Sequence, residues 1–286
     1  MESDKSMRRR GVYLLPNLLT SAALFAAFYS IISGINGKFE AAAIAIVVAG
    51  VLDGLDGRVA RLTNTQSDFG EQYDSLADLI SFGLAPALLA FNWSLSSLRE
   101  ISLLTGKLGW LAAFLFVSCA ALRLARFNTQ IGIADKSYFQ GLASPAAAGT
   151  LVFTIWFFVD NNVAGETVRW LIFFEIIVLG LLMFSNVRYF SFKAGPKGDK
   201  VPAHWVFLAI LIIVLLALDP PTMGMIFGSA YVVSGLLITI AGRRNWKLKR
   251  RQRPLKQKKT EPVIGPESGL AEDDDGGGGD REITHD

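Results

Sequence analysis

Four aspartates, Asp53, Asp56, Asp74 and Asp78, stand inside otherwise apolar sequence. No other feature limits the fold of this chain as strongly. An aspartate at the centre of a membrane helix costs about 2.5–3.5 kcal/mol on insertion scales, so four together need compensating charge. The surroundings are of membrane grade. The 286 residues are 51% hydrophobic, with a mean hydropathy of +0.39. These values argue against an ordinary soluble domain and for an all-α polytopic membrane protein.

The spacing predicts that the carboxylates meet. Asp53 and Asp56 are three apart and share a helix face, while Asp74 and Asp78 are four apart, with Gly70 one further turn back. Leu62 to Phe69 is polar and reads as a turn between two antiparallel helices. At about 1.5 Å per residue, Asp53 lies about 12 Å before Arg61 and Asp78 about 12 Å beyond Gly70, with Asp56 and Asp74 about 6–8 Å in. All four can then face one another in two layers, just inside one membrane leaflet.

Oxygen-only ligands favour hard cations, Mg²⁺ or Mn²⁺, and Ca²⁺ would also fit. No Cys or His accompanies them, which argues against zinc. Two divalent ions would nearly balance four carboxylates, and such a pair suits phosphoryl or pyrophosphate chemistry. Gly57 and Ala60 leave room for a bulky ligand to approach the helix backbone. Arg61 can grip a phosphate with two parallel hydrogen bonds. A polar cluster that only packs the bundle, or an aspartate-lined path for a divalent cation, would also account for the carboxylates. A cation path leaves Gly57, Ala60 and Arg61 unexplained and predicts an inverted repeat, for which the sequence has no second aspartate cluster.

Apolar runs predict about eight transmembrane helices, near residues 12–33, 39–61, 71–93, 108–127, 143–159, 168–184, 203–218 and 223–241. Pro16 is expected in the first turn of the first helix, and a kink is expected near Pro86. The chain divides into a basic stretch at 1–11, a transmembrane catalytic domain at 12–242, and a tail at 243–286 that is first basic and then acidic and disordered. The basic run from Arg243 to Lys259 reads as a membrane-surface segment attracted to anionic lipid. Because it abuts a transmembrane end, nucleic acid is a poor partner for it. Cys119 lies in an apolar run and reads as packing. His204 and His285 lack ligand partners in sequence. The basic loops, Arg8 to Arg10, Arg58 with Arg61, Arg123 with Arg126, and Arg188 with Lys193, fall on one side of an eight-helix count. The positive-inside rule therefore places both termini and the aspartates at the cytoplasmic face of the cell's inner membrane.

Read as D-x-x-D-G-x-x-A-R-(x8)-G-x-x-x-D-x-x-x-D, residues 53–78 resemble the CDP-alcohol phosphatidyltransferase signature at every fixed position. The resemblance implies that family's helical bundle. It also implies that Asp53, Asp56 and Asp74, in a carboxylate set completed by Asp78, hold divalent metals. Asp78 would act as general base toward the acceptor alcohol. Gly57, Ala60 and Arg61, with Gly70 and with Asn17 of the opening P-N-L-L-T, would line the nucleotide pocket. Asn17 also reads as a plain helix-start residue.

Three downstream stretches, R-L-A-R-F-N, G-L-A-S-P-A-A-A-G and S-N-V-R-Y-F-S-F-K, resemble the integral-membrane bacterial and archaeal branch of the family whose acceptor is serine. That resemblance implies CDP-diacylglycerol and L-serine as substrates, with choline, glycerol 3-phosphate or an inositol phosphate as alternative acceptors. Arg123, Arg126, Asn128, Ser144 and Arg188 are the candidates to bind the acceptor or a phosphate. The arginines also read as interfacial anchors, and Ser144 as a helix cap. Where the family pattern has G-L-P-S-P, this chain carries Ala143. Homodimers are the family's habit, so a homodimer is expected.

Overall fold

The computed structural model describes residues 2–63, 65, 67–129, 138–190 and 203–257. The described residues are helical almost throughout. Helix α1 (Glu2–Ile35) turns back at Gly37 into α2 (Phe39–Thr63), and the two pack along each other more extensively than any other pair. Ser67 caps α3 (Asp68–Asp78) by accepting a hydrogen bond from the Gly70 amide at 3.1 Å, as an N-cap serine does. The polar turn expected between α2 and α3 is therefore where the sequence puts it.

The same helix then changes winding. Leu79–Leu84 is a π-helical segment that leads without a break into α4 (Ala85–Trp93). Pro86 explains the change. It has no N–H to give the Phe82 carbonyl, and the Ala85 amide reaches back five residues to the Ile80 carbonyl. The kink expected at Pro86 is thus spread over the turn before it. This wider turn brings Ser81, Phe82 and Gly83 into the core directly behind Asp78.

The stretch expected as a polar loop at 94–107 is more ordered than that. It holds a 3₁₀ turn at Leu95–Ser97 and the short α5 (Leu98–Ile101), and α6 (Leu103–Thr129) begins five residues before the expected start at 108. Ser94 and Arg169 tie this end of the bundle together. The Ser94 hydroxyl donates to the Gly165 carbonyl at 2.7 Å, and Arg169 donates to the Ser97 carbonyl at 3.1 Å. Helices α7 (Ser144–Asp160), α8 (Arg169–Phe184) and α9 (Ala203–Leu218) follow the sequence expectation to within a residue or so. Helix α10 (Pro220–Gln257) starts earlier than expected and carries the basic run in helical form as far as Gln257. The first helix likewise starts earlier. Pro16 lies inside α1 and not in its first turn.

One departure from an all-α chain is a two-stranded antiparallel ladder. Strand β1 (Tyr138–Gln140) pairs with β2 (Arg188–Phe190) in the register Tyr138–Phe190, Phe139–Tyr189 and Gln140–Arg188.

Small residues build the core. Ala27, Ala42, Ala49, Ala90, Ala120 and Ala147 are fully buried at helix crossings, where they let backbones approach. Phe116, Leu151, Ile155 and Ile176 fill the space between. The outward faces carry exposed Leu18, Phe25, Phe28, Phe174, Ile213 and Leu218. Apolar faces of that extent suit lipid and not water. Leu15–Ile35, Asp68–Trp93, Leu103–Thr129 and Pro220–Thr239 are long and apolar enough to cross a membrane, and Ser144–Asp160 is a shorter apolar helix. This is the architecture of a polytopic membrane protein.

Candidate active site

The fold brings the four aspartates together. Asp53 and Asp56 come from α2, and Asp74 and Asp78 from α3. One carboxylate oxygen from each of Asp53, Asp56 and Asp74 lies within 4.8 Å of the others. Asp78 stands beside Asp53 at the edge of the group, close enough for the two side chains to interact. Asp56 is the most enclosed, at 4% exposure, and its Oδ2 accepts a hydrogen bond from the Thr20 hydroxyl at 2.7 Å. Helix α1 thereby supports a site built on α2 and α3.

The cluster fits a divalent cation on its own chemistry. Asp74 Oδ1 and Asp78 Oδ1 are buried and have no hydrogen-bond partner. Carboxylate oxygens left bare in such an enclosure lose their solvation, and a metal ion restores it.

The nucleotide-side candidates lie around this centre. A Cβ built on Gly57 meets nothing within 4 Å, so packing does not require a glycine there, and the missing side chain leaves α2 backbone open beside Asp56. Ala60 is half-buried and Arg61 exposed on the same helix. Gly70 packs against α1, where an added Cβ would sit 3.4 Å from Asn17 Oδ1 and 3.1 Å from Ser67 Oγ. Asn17 and Gly70, far apart in sequence, are thus neighbours. Ser21 and Tyr73 join the same two helices through a hydroxyl pair at 2.9 Å.

The three downstream stretches also converge. Arg123 of α6 donates from Nη1 to Ser144 Oγ at 2.8 Å. It lies within electrostatic reach of Asp78 and of Tyr231 on α10. Arg126 donates to Asn186 Oδ1 at 2.9 Å, which ties the end of α6 to the approach of β2. Asn128 donates to Ser75 Oγ at 3.0 Å, beside Asp74. Arg188 belongs to β2, but its side chain lies outside the described residues, as do Arg8, Lys136, Lys193, His204, His285 and the acidic tail.

Gly141 fixes the junction. Its φ of +84° is a conformation glycine adopts freely, and any Cβ there would collide with the Met183 carbonyl. Its amide donates to the Val187 carbonyl at 2.9 Å, so the entry to α7 and the strand β2 are held side by side. Ala143 has φ −62° and ψ 137°, the backbone a proline would impose, so alanine keeps the geometry of the family pattern.

Sequence reasoning passed over Ser75 and Asn186. Ser75 follows Asp74 and Asn186 stands two residues before Arg188, but only the packing reveals their partners.

Comparison with known proteins identifies the family. The family model for CDP-alcohol phosphatidyltransferase matches residues 13–182. The chain belongs to the CDP-alcohol phosphatidyltransferase family. Among its relatives is a CDP-diacylglycerol–serine O-phosphatidyltransferase of Helicobacter pylori, 37% identical over 230 residues, covering 79% of this chain and 91% of the relative. A protein of the same name from Mycobacterium tuberculosis is 33% identical over 217 residues, covering 73% and 72%. The archaetidylserine synthase of Methanothermobacter thermautotrophicus is 34% identical over 193 residues, covering 66% and 72%.

Proposed function

We infer that this chain transfers the phosphatidyl group of CDP-diacylglycerol to the hydroxyl of L-serine, giving phosphatidylserine and CMP, as a step of phospholipid synthesis. The observation that carries the reading is the cluster of Asp53, Asp56 and Asp74 with Asp78 at its edge, in a chain whose relatives carry serine in their names.

The roles follow from the chemistry of each group. Asp53, Asp56 and Asp74 hold divalent cations, with Mg²⁺ or Mn²⁺ favoured, Ca²⁺ acceptable, and two ions matching four carboxylates. When bound, such cations supply positive charge to the pyrophosphate and to the departing CMP. Asp78 accepts the proton of the serine hydroxyl. The serine oxygen forms a bond to the β-phosphorus of the donor, and the bond from that phosphorus to the bridging oxygen breaks. The electron pair leaves with CMP. Asp78 suits the base role because its Oδ1 lies buried at the edge of the cluster and keeps no partner. Asn17, Gly57, Ala60, Arg61 and Gly70 line the nucleotide pocket. Arg123 receives the acceptor's carboxylate, with Ser144 orienting it, and Asn128, Arg126 and Arg188 form the surroundings on that side.

The donor's tail has a place as well. An apolar groove of about 590 Å³ runs between α1 and α2, lined by Ala22, Phe25, Ala26, Tyr29, Ala45 and Leu52 among others. It reaches Leu52, the neighbour of Asp53. From Ala41 to Leu52 it spans about 16 Å of helix, close to the half-thickness of the bilayer's hydrocarbon. An acyl chain whose headgroup sits at the aspartates fits that length.

The membrane arrangement proposed with this reading has eight spans. Residues 12–242 form the catalytic domain, and the stretch at 1–11 and the tail at 243–286 lie on the cytoplasmic side of the inner membrane. A homodimer is the proposed assembly.

The test uses purified full-length protein in liposomes with CDP-diacylglycerol and Mn²⁺ or Mg²⁺. CMP release is followed with serine, glycerol 3-phosphate, inositol phosphate or choline supplied singly, and Asp78→Asn is the control. Release with serine alone, lost in the variant, is expected. Release with a different acceptor would overturn the serine assignment, and no release with any acceptor from folded, metal-loaded protein would overturn the transferase reading.

A further inference from the structure

Helix α2 turns one face to lipid and another to the aspartate site, and the two flanks between those faces are closed to different heights. Ile44, Val48, Val51, Leu55 and Leu62 mark the outward face; they recur at helical spacing and are all exposed. Asp53 lies on the opposite side of the helix, with Asp56 beside it. On the flank next to Asp56, α1 shuts the way, because the Thr20 hydroxyl reaches that carboxylate at 2.7 Å.

The other flank carries Ala43, Gly50, Gly54 and Gly57, which follow one another at helical spacing. Ala43 is fully buried. At Gly50 the Phe82 ring closes the flank, 3.4 Å from where a Cβ would stand. One turn nearer the polar turn the cover ends. Among the described residues, nothing lies within 4 Å of a Cβ built on Gly54 or on Gly57, and both glycines are exposed. The opening thus starts at the level of Asp53, and Phe82, presented by the π-helical turn after Asp78, is its floor.

Gly57 faces the nucleotide in the reading above, whereas Gly54 lies outside the fixed positions of the signature and has no part in it. Its place suits a different portion of the donor. Gly54 stands three residues from Gly57, about 4.5 Å deeper along the helix. That depth is comparable with the few bonds between a pyrophosphate and the glycerol carbons of its lipid.

We propose that Gly54 is where the donor lipid crosses α2. The glycerol carbons of CDP-diacylglycerol lie against the bare backbone there, with the pyrophosphate at the aspartates and the acyl chains leaving over Val51 and Leu55. This makes Gly54 a specificity-determining residue for the lipid portion of the donor. The proposal rests on the transferase reading above and adds to it the path by which a substrate dissolved in the bilayer reaches the carboxylates. Val48, on the same outward face, also lines the groove between α1 and α2, so the course of a chain over that face runs on into the groove.

The test measures CDP-diacylglycerol, L-serine and CMP separately on wild type, Gly54→Leu and Gly54→Ala in mixed micelles. Both variants should melt at or above the wild-type temperature, since alanine and leucine form helix better than glycine and meet no neighbour there. In Gly54→Leu, KM for CDP-diacylglycerol is expected to rise about tenfold or more, as overfilling a close-fitting space does, with a smaller rise in Gly54→Ala. KM for L-serine should not follow it. CMP with Mn²⁺ should raise the melting temperature of Gly54→Leu as much as that of the wild type, because the nucleotide sits at Gly57. An unchanged KM for the donor in folded Gly54→Leu would overturn the crossing. So would loss of the CMP effect, which assigns Gly54 to the nucleotide, or a lowered melting temperature in both variants, which assigns it to the fold. Failure of the wild type to release CMP with serine is a separate result that removes the transferase reading itself.

Discussion

The hydroxyl of Thr20 donates to Oδ2 of Asp56 at 2.7 Å, and both residues are almost wholly buried. This contact joins the first helix to the carboxylate cluster, and it fixes which Asp56 oxygen is left for a metal. Groups that orient metal ligands in this way are commonly worth 10–100-fold in affinity or activity. Thr20→Val keeps the shape and removes the donor. It should weaken the apparent Mn²⁺ affinity, read from the metal dependence of CMP release, by about tenfold or more. Thr20→Ser should restore most of it. Equal metal dependence in all three proteins would show that the contact is packing alone.

Asp78→Asn separates chemistry from binding. The amide can still donate to Asp53, so the cluster should hold together. What it cannot do is take the acceptor's proton. Turnover should fall about 10²–10⁴-fold, the usual range for a lost general base. Binding of CDP-diacylglycerol, measured by its stabilisation of the protein against heat, should change little. If binding collapses along with turnover, Asp78 is primarily a metal ligand.

Much of this site was legible because its residues are chemically wrong for their surroundings. Acids spaced three and four apart in apolar helices leave few arrangements, and helical periodicity then sets the facing sides. The turn at Ser67 was legible for the same local reason. The ladder of β1 and β2 was not, since three-residue strands carry no usable period, and their pairing joins residues about fifty apart. The partnership of Thr20 with Asp56 depends on how α1 lies against α2, which no local pattern encodes. Glu175 gives a converse lesson. It carries the same signal as the aspartates, an acid in an apolar helix, yet its partner is the Thr154 hydroxyl at 2.8 Å, remote in sequence from the motif.

Two glycines test the difference between room for a ligand and room for the fold. Gly57 has open space where its side chain would be, whereas Gly141 has a positive φ and a carbonyl in the way. Gly57→Leu should therefore fold normally and lose donor binding, with the KM for CDP-diacylglycerol raised or activity abolished. Gly141→Ala should lower the melting temperature and yield. Size-exclusion profiles and thermal melts read the fold, and CMP release reads the site. A misfolded Gly57→Leu protein would mean that the glycine serves packing after all.

The groove between α1 and α2 predicts how the enzyme reads acyl length. Ala26 lines the groove and is half-buried, so Ala26→Phe fills it from one wall without touching the aspartates. Each methylene kept from an apolar surface forfeits about 0.8 kcal/mol, so displacing two or more should cost about tenfold in kcat/KM. The loss should appear with a long-chain CDP-diacylglycerol, whose tail must lie along the groove. A donor with chains of only a few carbons should be used nearly as well as by wild type, because its tail ends before the obstruction. The ratio of kcat/KM for long over short donors is the measurement, taken in mixed micelles so that both donors present at equal surface concentration. A fall of about tenfold in that ratio supports the groove as the acyl site. An unchanged ratio would place the tail along a different face of the bundle, leaving the aspartate site as it stands.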